Sequence, residues 1–300
     1  MSAGNPTRIA FIGFGEAGGV LGAALVAAGA EVCMYDLLLD DPAQRDVMRR
    51  KAEAAGVQVA VDLADALASA ELVFSTVTAS SARQAAHDAG RWMRDGQTYL
   101  DLNSVSGATK RADRDGIEAS GAAYVEAAVM APVPPYGIGV PMLLGGARAA
   151  AIAERLTCFG MRATAVSTQI GHASAIKLCR SVMIKGIEAL MVECLAGARH
   201  FGVEDDVLAS LDETFPGLGW NGALPHYLIS RVAEHGRRRA AEMLEAADML
   251  NGAGIEPRMA LATAGVQQAT VDAMARLGLG YDPDTVFRWP ALIDALAAPH

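Results

Sequence analysis

Cysteine is scarce in this chain: four residues in 300, at positions 33, 158, 179 and 194, with no C-x-x-C pair. Neither a disulfide framework nor a zinc site follows from that spacing, and buried free thiols in a reducing cytosol fit it better. The six histidines show no H-E-x-x-H or comparable ligand pattern, so no metal is expected. Basic charge is short as well. Lys and Arg total 25 against 34 Asp and Glu, a formal net charge of −9, and no long basic tract occurs. Nucleic acid and anionic membranes are therefore not expected as main partners, while a small anionic substrate in a local basic pocket remains open. The longest charge-free stretch, 127–147, holds Pro132, Pro134, Pro135, Pro141 and four glycines, which no ordinary spanning helix would carry. No apolar run of signal-peptide type precedes the first candidate strand, and a cytoplasmic location is expected.

What is present is material for packed cores: 52% of residues are hydrophobic and only 20% charged, and a length of 300 favours two domains. Short apolar runs at 8–12, 31–35, 57–60, 72–77 and 98–102 read as strands. Amphipathic segments ending near 28 and at 42–55, 63–68, 82–93 and 108–120 read as the helices between them. This alternation implies a doubly wound, parallel α/β sheet, which 124–129, 141–144 and 163–166 extend. After Gly171 the strand signal stops. The segment from 172 to about 200 has apolar residues at 176, 179, 183, 187, 190, 194 and 198, a helical period, and everything beyond reads helical. Breaks fall near 215–225, 251–257 and 278–283. The expected organisation is an N-terminal Rossmann domain over 1–168, then a long interdomain helix and an all-α C-terminal domain within 169–300.

The first strand runs into Gly13-Phe14-Gly15-Glu16-Ala17-Gly18 and an Ala/Leu-rich helix. G-x-G-x-x-G alone is a weak signal, but between a strand and a helix it has the context its mechanism requires. Gly13 would allow the tight turn, Gly15 the close pyrophosphate approach and Gly18 the helix–strand contact, with helix N–H groups facing the phosphates. Asp36 ends the second strand, where a carboxylate bonds the adenosine ribose hydroxyls. It would repel a 2′-phosphate, and no Arg or Lys follows before Arg45, so NAD is expected over NADP. A purely structural turn beside a surface aspartate accounts for these features less well.

With Ile176 as origin on the long helix, Lys177, Ser181, Ile184 and Glu188 fall between about 80° and 140°, flanking the apolar stripe where a helix borders a cleft. By composition alone Lys177 reads as a snorkelling surface lysine. Arg180 lies about 40° from the stripe centre, among residues expected to be buried, and a buried arginine needs a carboxylate or a ligand. A second charged cluster spans 235–242. His235, Arg238 and Glu242 are spaced to share one helical face, and Arg239 falls on the stripe of Val232, Met243, Ala246 and Leu250. A solvated face with an Arg238–Glu242 pair explains that cluster equally well.

Three motifs in this order resemble the β-hydroxyacid dehydrogenases, the superfamily of 3-hydroxyisobutyrate and 6-phosphogluconate dehydrogenases. They are the glycine turn, the Asp-Leu-Asn-Ser segment at 101–104 and GHASAIKLCRS opening the long helix. The resemblance covers nearly the whole chain. It implies hydride chemistry with Lys177 as general acid and base, and Asn103 and Ser104 contacting nicotinamide and substrate. Phe14, Glu16, Ala17 and Thr78 join the glycines and Asp36 in the implied cofactor site. The implied substrate site adds Met130, Pro132, Arg180, Ser181, His235, Arg238 and Glu242. By the same analogy two chains pair through the helical domain, as a homodimer. Departures are evident: Ser181 stands where the family has asparagine, Ile184 where phosphogluconate dehydrogenase has its acid, and a proline-rich loop at 128–135 where the family has Ser-Gly-Gly. The loop points to a substrate bulkier or less carboxylate-like than 3-hydroxyisobutyrate, and the whole looks like a poorly characterised phosphogluconate-dehydrogenase-like branch. A lysine must lose much of its free pKa to act as a base near neutrality, for which Arg180 is a candidate neighbour. Imine reduction on the same architecture and a non-catalytic NAD(H) sensor are the alternatives; the lysine argues against the first, and Lys177, Asn103 and Ser104 together argue against the second.

Overall fold

The computed structural model describes residues 6–298. Eight strands form one sheet: β1 (Arg8–Ile12), β2 (Glu31–Tyr35), β3 (Gln58–Val59), β4 (Leu72–Ser75), β5 (Thr98–Asp101), β6 (Ala123–Val129), β7 (Pro141–Gly145) and β8 (Arg162–Ser167). Between and around them lie α1 (Glu16–Ala27), α2 (Arg45–Ala54), α3 (Leu63–Ala68), α4 (Ala79–Gly90), α5 (Gly107–Glu118), α6 (Val133–Tyr136) and α7 (Ala149–Thr157). The rest is helical: α8 (His172–Phe201), α9 (Glu204–Thr214), α10 (Ala223–Gly252), α11 (Arg258–Arg276) and α12 (Trp289–Ala297).

The strand order is β3-β2-β1-β4-β5-β6-β7-β8, parallel except for the antiparallel β6–β7 pair. This is the doubly wound arrangement that the alternation of elements predicts. Helices cover both faces, so central strands are apolar on both sides rather than alternating with polar residues. Along β1, Ile9 and Phe11 join one core while Ala10 and Ile12 join the other. The chain turns from β1 to β2 on one side and later places β4 on the other. That reversal opens a crevice at the carboxyl ends of β1 and β4, where ligands of such sheets bind.

The chain divides into two compact units between Lys177 and Leu178, within α8 rather than at 168. At about 1.5 Å per residue the 30 residues of α8 run for about 45 Å. In the second unit Met191, Leu195, Ile229, Val232 and Ile293 form one apolar core, and Leu178, Met243 and Ala246 belong to a second. Gly236 lets α10 lie close against α11, because a Cβ there would come 2.6 Å from Val271 Cγ1.

The buried face of α8 is not the one its apolar spacing suggests. Met183 is 65% and Leu190 57% exposed, and Ile176, Cys179 and Cys194 are exposed too; Ala198 is buried. Ser174, Leu178, Ser181, Lys185, Glu188, Val192 and Leu195 are buried instead. Arg180, placed by its sequence spacing among buried residues, is exposed, because it lies on the solvent side with Ile176 and Met183. Among the described residues, no helix is long and apolar enough to cross a membrane.

Candidate functional site

The glycine turn is held from both flanks. Gly13 donates its N–H to Tyr35 O (2.9 Å), while its carbonyl accepts from Thr76 Oγ1 (2.6 Å). Its φ of +82° is the conformation that makes glycine the residue for this corner. A Cβ at Gly18 would lie 2.8 Å from Gly13 O and 2.9 Å from Thr76 Oγ1, so α1 approaches the sheet only because that position is bare. At Gly15, in contrast, a Cβ would have no neighbour within 4 Å. The space it faces is open, as close approach of a pyrophosphate to the backbone requires. Phe14 is buried with its ring edge-on to Phe11, and Glu16 is exposed at the first turn of α1.

Asp36 is tied to that turn. One carboxylate oxygen accepts from Phe14 N–H (2.6 Å) and the other from Leu38 N–H (2.9 Å). Each oxygen keeps acceptor capacity for a hydroxyl donor. The residues that follow, Leu37 and Leu38, are exposed and apolar. Glycine turn, carboxylate and open cradle thus fit a nicotinamide dinucleotide. Thr78 is exposed at the N-cap position of α4, its hydroxyl bonded to Ser81 Oγ at 3.1 Å.

Asn103 occupies a different place from the one expected of a ligand contact. It is 4% exposed; its Oδ1 accepts from Val77 N–H (2.9 Å) and its Nδ2 donates to Ser75 Oγ (2.9 Å). The carboxamide staples the loop after β4 to the loop after β5. Ser104, the next residue, is half-buried and accepts from Lys177 Nζ at 2.6 Å. The amine and the hydroxyl therefore meet at the carboxyl end of β5, the edge that also carries the glycine turn and Asp36.

Beneath this loop lies a buried polar cluster that sequence reasoning missed. Asp101 accepts from Tyr124 OH (2.5 Å) and from Asn103 N–H (2.8 Å), and Lys110 Nζ lies 3.4 Å from its carboxylate while donating to its carbonyl (2.8 Å). Asp113, 5% exposed, stands nearby with one oxygen unbonded. Burial first, and the Asp101 charge second, push its carboxyl up to about 6, against the pull of Arg83 and Lys110. A carboxylate raised on folding binds protons better in the native state, so its penalty is absent below its unfolded value of 3.8 and grows until pH passes about 6. Asp113→Asn is accordingly expected to stabilise the protein by roughly 2 kcal/mol near pH 8 and to be about neutral near pH 4. Denaturant titrations of both proteins across that range measure the difference, and a pH-independent difference would refute it.

In the second unit, His235 Nε2 lies 3.4 Å from Arg231 Nη1 and 3.5 Å from a Glu234 oxygen. Burial, then Arg238 and Arg231, hold its imidazole below the usual value. Arg238 is exposed. Glu242 pairs with Lys185 of α8, and Arg239 donates from Nη1 to both oxygens of Glu188 (2.6 and 2.8 Å), with Gln267 Nε2 at 3.2 Å. Burial draws the Lys185 ammonium down and the Glu188 carboxyl up, each opposed by its partner. His235 and Glu242 thus belong to charge networks within this unit. Met130 is half-buried, and Pro132 is exposed at the start of α6. Among the described residues, no group of His, Cys, Asp or Glu is arranged to hold a metal ion.

Residues 8–171 match the family described as the NAD binding domain of 6-phosphogluconate dehydrogenase, and residues 198–270 match a domain of unknown function, DUF1932. A conserved hypothetical protein from Sinorhizobium meliloti is 38% identical, superposes with a TM-score of 0.76, and is matched over 97% of this chain and 96% of its own. MTH1747, a conserved protein of unknown function structurally similar to 3-hydroxyacid dehydrogenases, is 33% identical over 90% of this chain and 98% of its own, with a TM-score of 0.70. The 3-hydroxyisobutyrate dehydrogenase of Mycobacterium tuberculosis shares the fold at 20% identity, with a TM-score of 0.70 over 98% of this chain and all (100%) of its own.

Proposed function

The chain belongs to the β-hydroxyacid dehydrogenase superfamily, and we propose that it is an NAD(H)-dependent oxidoreductase acting at a hydroxyl or carbonyl carbon, with Lys177 as its acid and base. The observation that carries this reading is the 2.6 Å bond from Lys177 Nζ to Ser104 Oγ at the sheet edge that bears the glycine turn. The cofactor would supply or accept the hydride. In reduction the Lys177 ammonium gives a proton to the carbonyl oxygen; in oxidation the neutral amine takes one from the hydroxyl. Ser104 orients the amine and offers its own hydroxyl to the same substrate oxygen. Asn103 acts indirectly, by keeping the two loops in register.

Cofactor choice follows from Asp36. Its carboxylate rewards two ribose hydroxyls and repels a 2′-phosphate, and the exposed Leu37 and Leu38 supply no cation to offset that. NADH is expected to bind about tenfold or more tightly than NADPH, and Asp36→Ala to shrink the gap. Titration of both dinucleotides into both proteins measures this; tighter NADPH binding by the parent would overturn it.

The test of the activity is NADH consumption over a panel of 3-oxo acids, bulkier ketones and aldehydes, and cyclic imines. Turnover with a carbonyl supports the reading, turnover confined to imines replaces it with imine reduction, and binding without turnover leaves a sensor. The row that α8 leaves exposed, including Met183 and Leu190, is in this reading covered by a second copy of the chain, as a homodimer through the helical domain.

A further inference from the structure

In the middle of β6, within an otherwise apolar strand, stands Glu126, 0% exposed. Its side chain reaches the start of α8. Oε1 accepts from Gly171 N–H (2.8 Å) and Ala173 N–H (3.0 Å), and Oε2 accepts from Ser174 Oγ (2.6 Å) and Ser174 N–H (3.4 Å). The first turn of α8 has no acidic residue of its own. A 30-residue helix therefore begins with the Gly171, Ala173 and Ser174 N–H groups and its positive dipole end met by one carboxylate from the sheet. Room for that carboxylate is made on the next strand, where a Cβ at Gly145 would overlap Glu126 Oε1.

The register places this clamp with respect to chemistry. Glu126 is the β6 partner of Asp101 on β5, and Ser104 follows Asp101 by one short loop. Lys177 follows Ser174 by about one helical turn. Both ends of the Lys177–Ser104 bond thus descend from the same pair of strand positions: one through the loop after β5, the other through Glu126 and the first turn of α8. These bonds tie that first turn to the sheet. We infer that Glu126 is a positioning residue for the reaction, setting through α8 where the Lys177 amine stands. This rests on the acid–base reading of Lys177.

Glu126→Gln keeps the length of the side chain and one acceptor oxygen but removes the charge. With the best carbonyl substrate of the panel, kcat is expected to fall roughly tenfold to a hundredfold, the scale of a misplacement of about 1 Å. KM and NADH affinity are expected to stay within about twofold, because Glu126 touches neither ligand. Deuterium exchange at the first-turn amides of α8 is expected to quicken. In a Lys177→Ala background the same substitution is expected to cost no further kcat, since a residue acting through the amine then has nothing to position. Equal losses in both backgrounds, or parent-rate turnover by Glu126→Gln, would overturn the proposal. If Glu126→Gln fails to fold, Ser174→Ala removes one bond only; a kcat loss of about threefold to tenfold that vanishes in the Lys177→Ala background supports the proposal, and no loss overturns it. Parent-rate turnover by Lys177→Ala would instead sink the acid–base reading and with it the catalytic role of Glu126, while the exchange measurement still reports the clamp separately.

Discussion

Lys177→Ala is expected to lower kcat by roughly 10²–10⁴, the usual worth of a positioned acid–base group. The amine is held 2.6 Å from Ser104 Oγ, and the loop that carries Ser104 is braced by Asn103 and Asp101. Folding and dinucleotide binding are expected to survive, because the glycine turn and Asp36 sit on β1 and β2 and take no support from this side chain. Lys177→Arg is expected to be almost as damaging, since guanidinium does not release its proton near neutral pH. The pH–rate profile of either variant should lose the ionisation that belongs to the amine. Steady-state kinetics with NADH decides the matter: a Lys177→Ala protein at the parent rate would show that the proton travels another way.

The largest expected effect on stability lies in the second unit. Glu188→Ala is expected to cost about 3–5 kcal/mol, because it strands the Arg239 guanidinium without its carboxylate. Glu188 is 1% exposed and Arg239 reaches both its oxygens from one nitrogen, while Arg239 Nε has no partner at all. Removing both charges together, as Glu188→Leu with Arg239→Met, is expected to restore most of that loss, since two desolvation penalties disappear along with the attraction. Denaturant unfolding of the three variants checks this. A single variant within about 1 kcal/mol of the parent would mean that water reaches the pair and screens it.

The α/β half was legible because its signals are local. Strands such as 8–12 and 31–35 show themselves by composition and by glycine turns a few residues away, and the observed bounds agree closely. Asp36 was marked by its place at the end of the second strand and Lys177 only by the family resemblance of its motif; the structure sets the first against the glycine turn and the second against Ser104. Helix α8 was legible as a helix but not as a surface. Its row of Ile176, Met183 and Leu190 has the right period for a buried stripe, yet the buried side carries Ser181, Lys185 and Glu188. Lys185 and Glu188 are buried because Glu242, Arg239 and Gln267 meet them from α10 and α11, 51 or more positions away, and no local pattern announces such partners. Arg180 inherited the same error in sign. Glu126 did leave a trace, as the lone carboxylate bordering the charge-free run at 127–147, and a charge inside a buried strand asks for donors to meet it.

The antiparallel turn between β6 and β7 decides where the chain leaves the sheet. In a run of parallel strands every following helix starts at the edge where the cofactor loops gather and leads away from them. Here β7 and β8 run the opposite way, Gly145 and Ser167 ending level with Glu126 and so with Asp101 at the carboxyl end of β5, and the chain leaves the sheet beside those loops. The helix that starts there begins beside Gly107, the first residue of α5, and brings Lys177 to Ser104 within its second turn. One U-turn of the backbone thus brings the chain back to the level of the β5 carboxyl end before α8 begins.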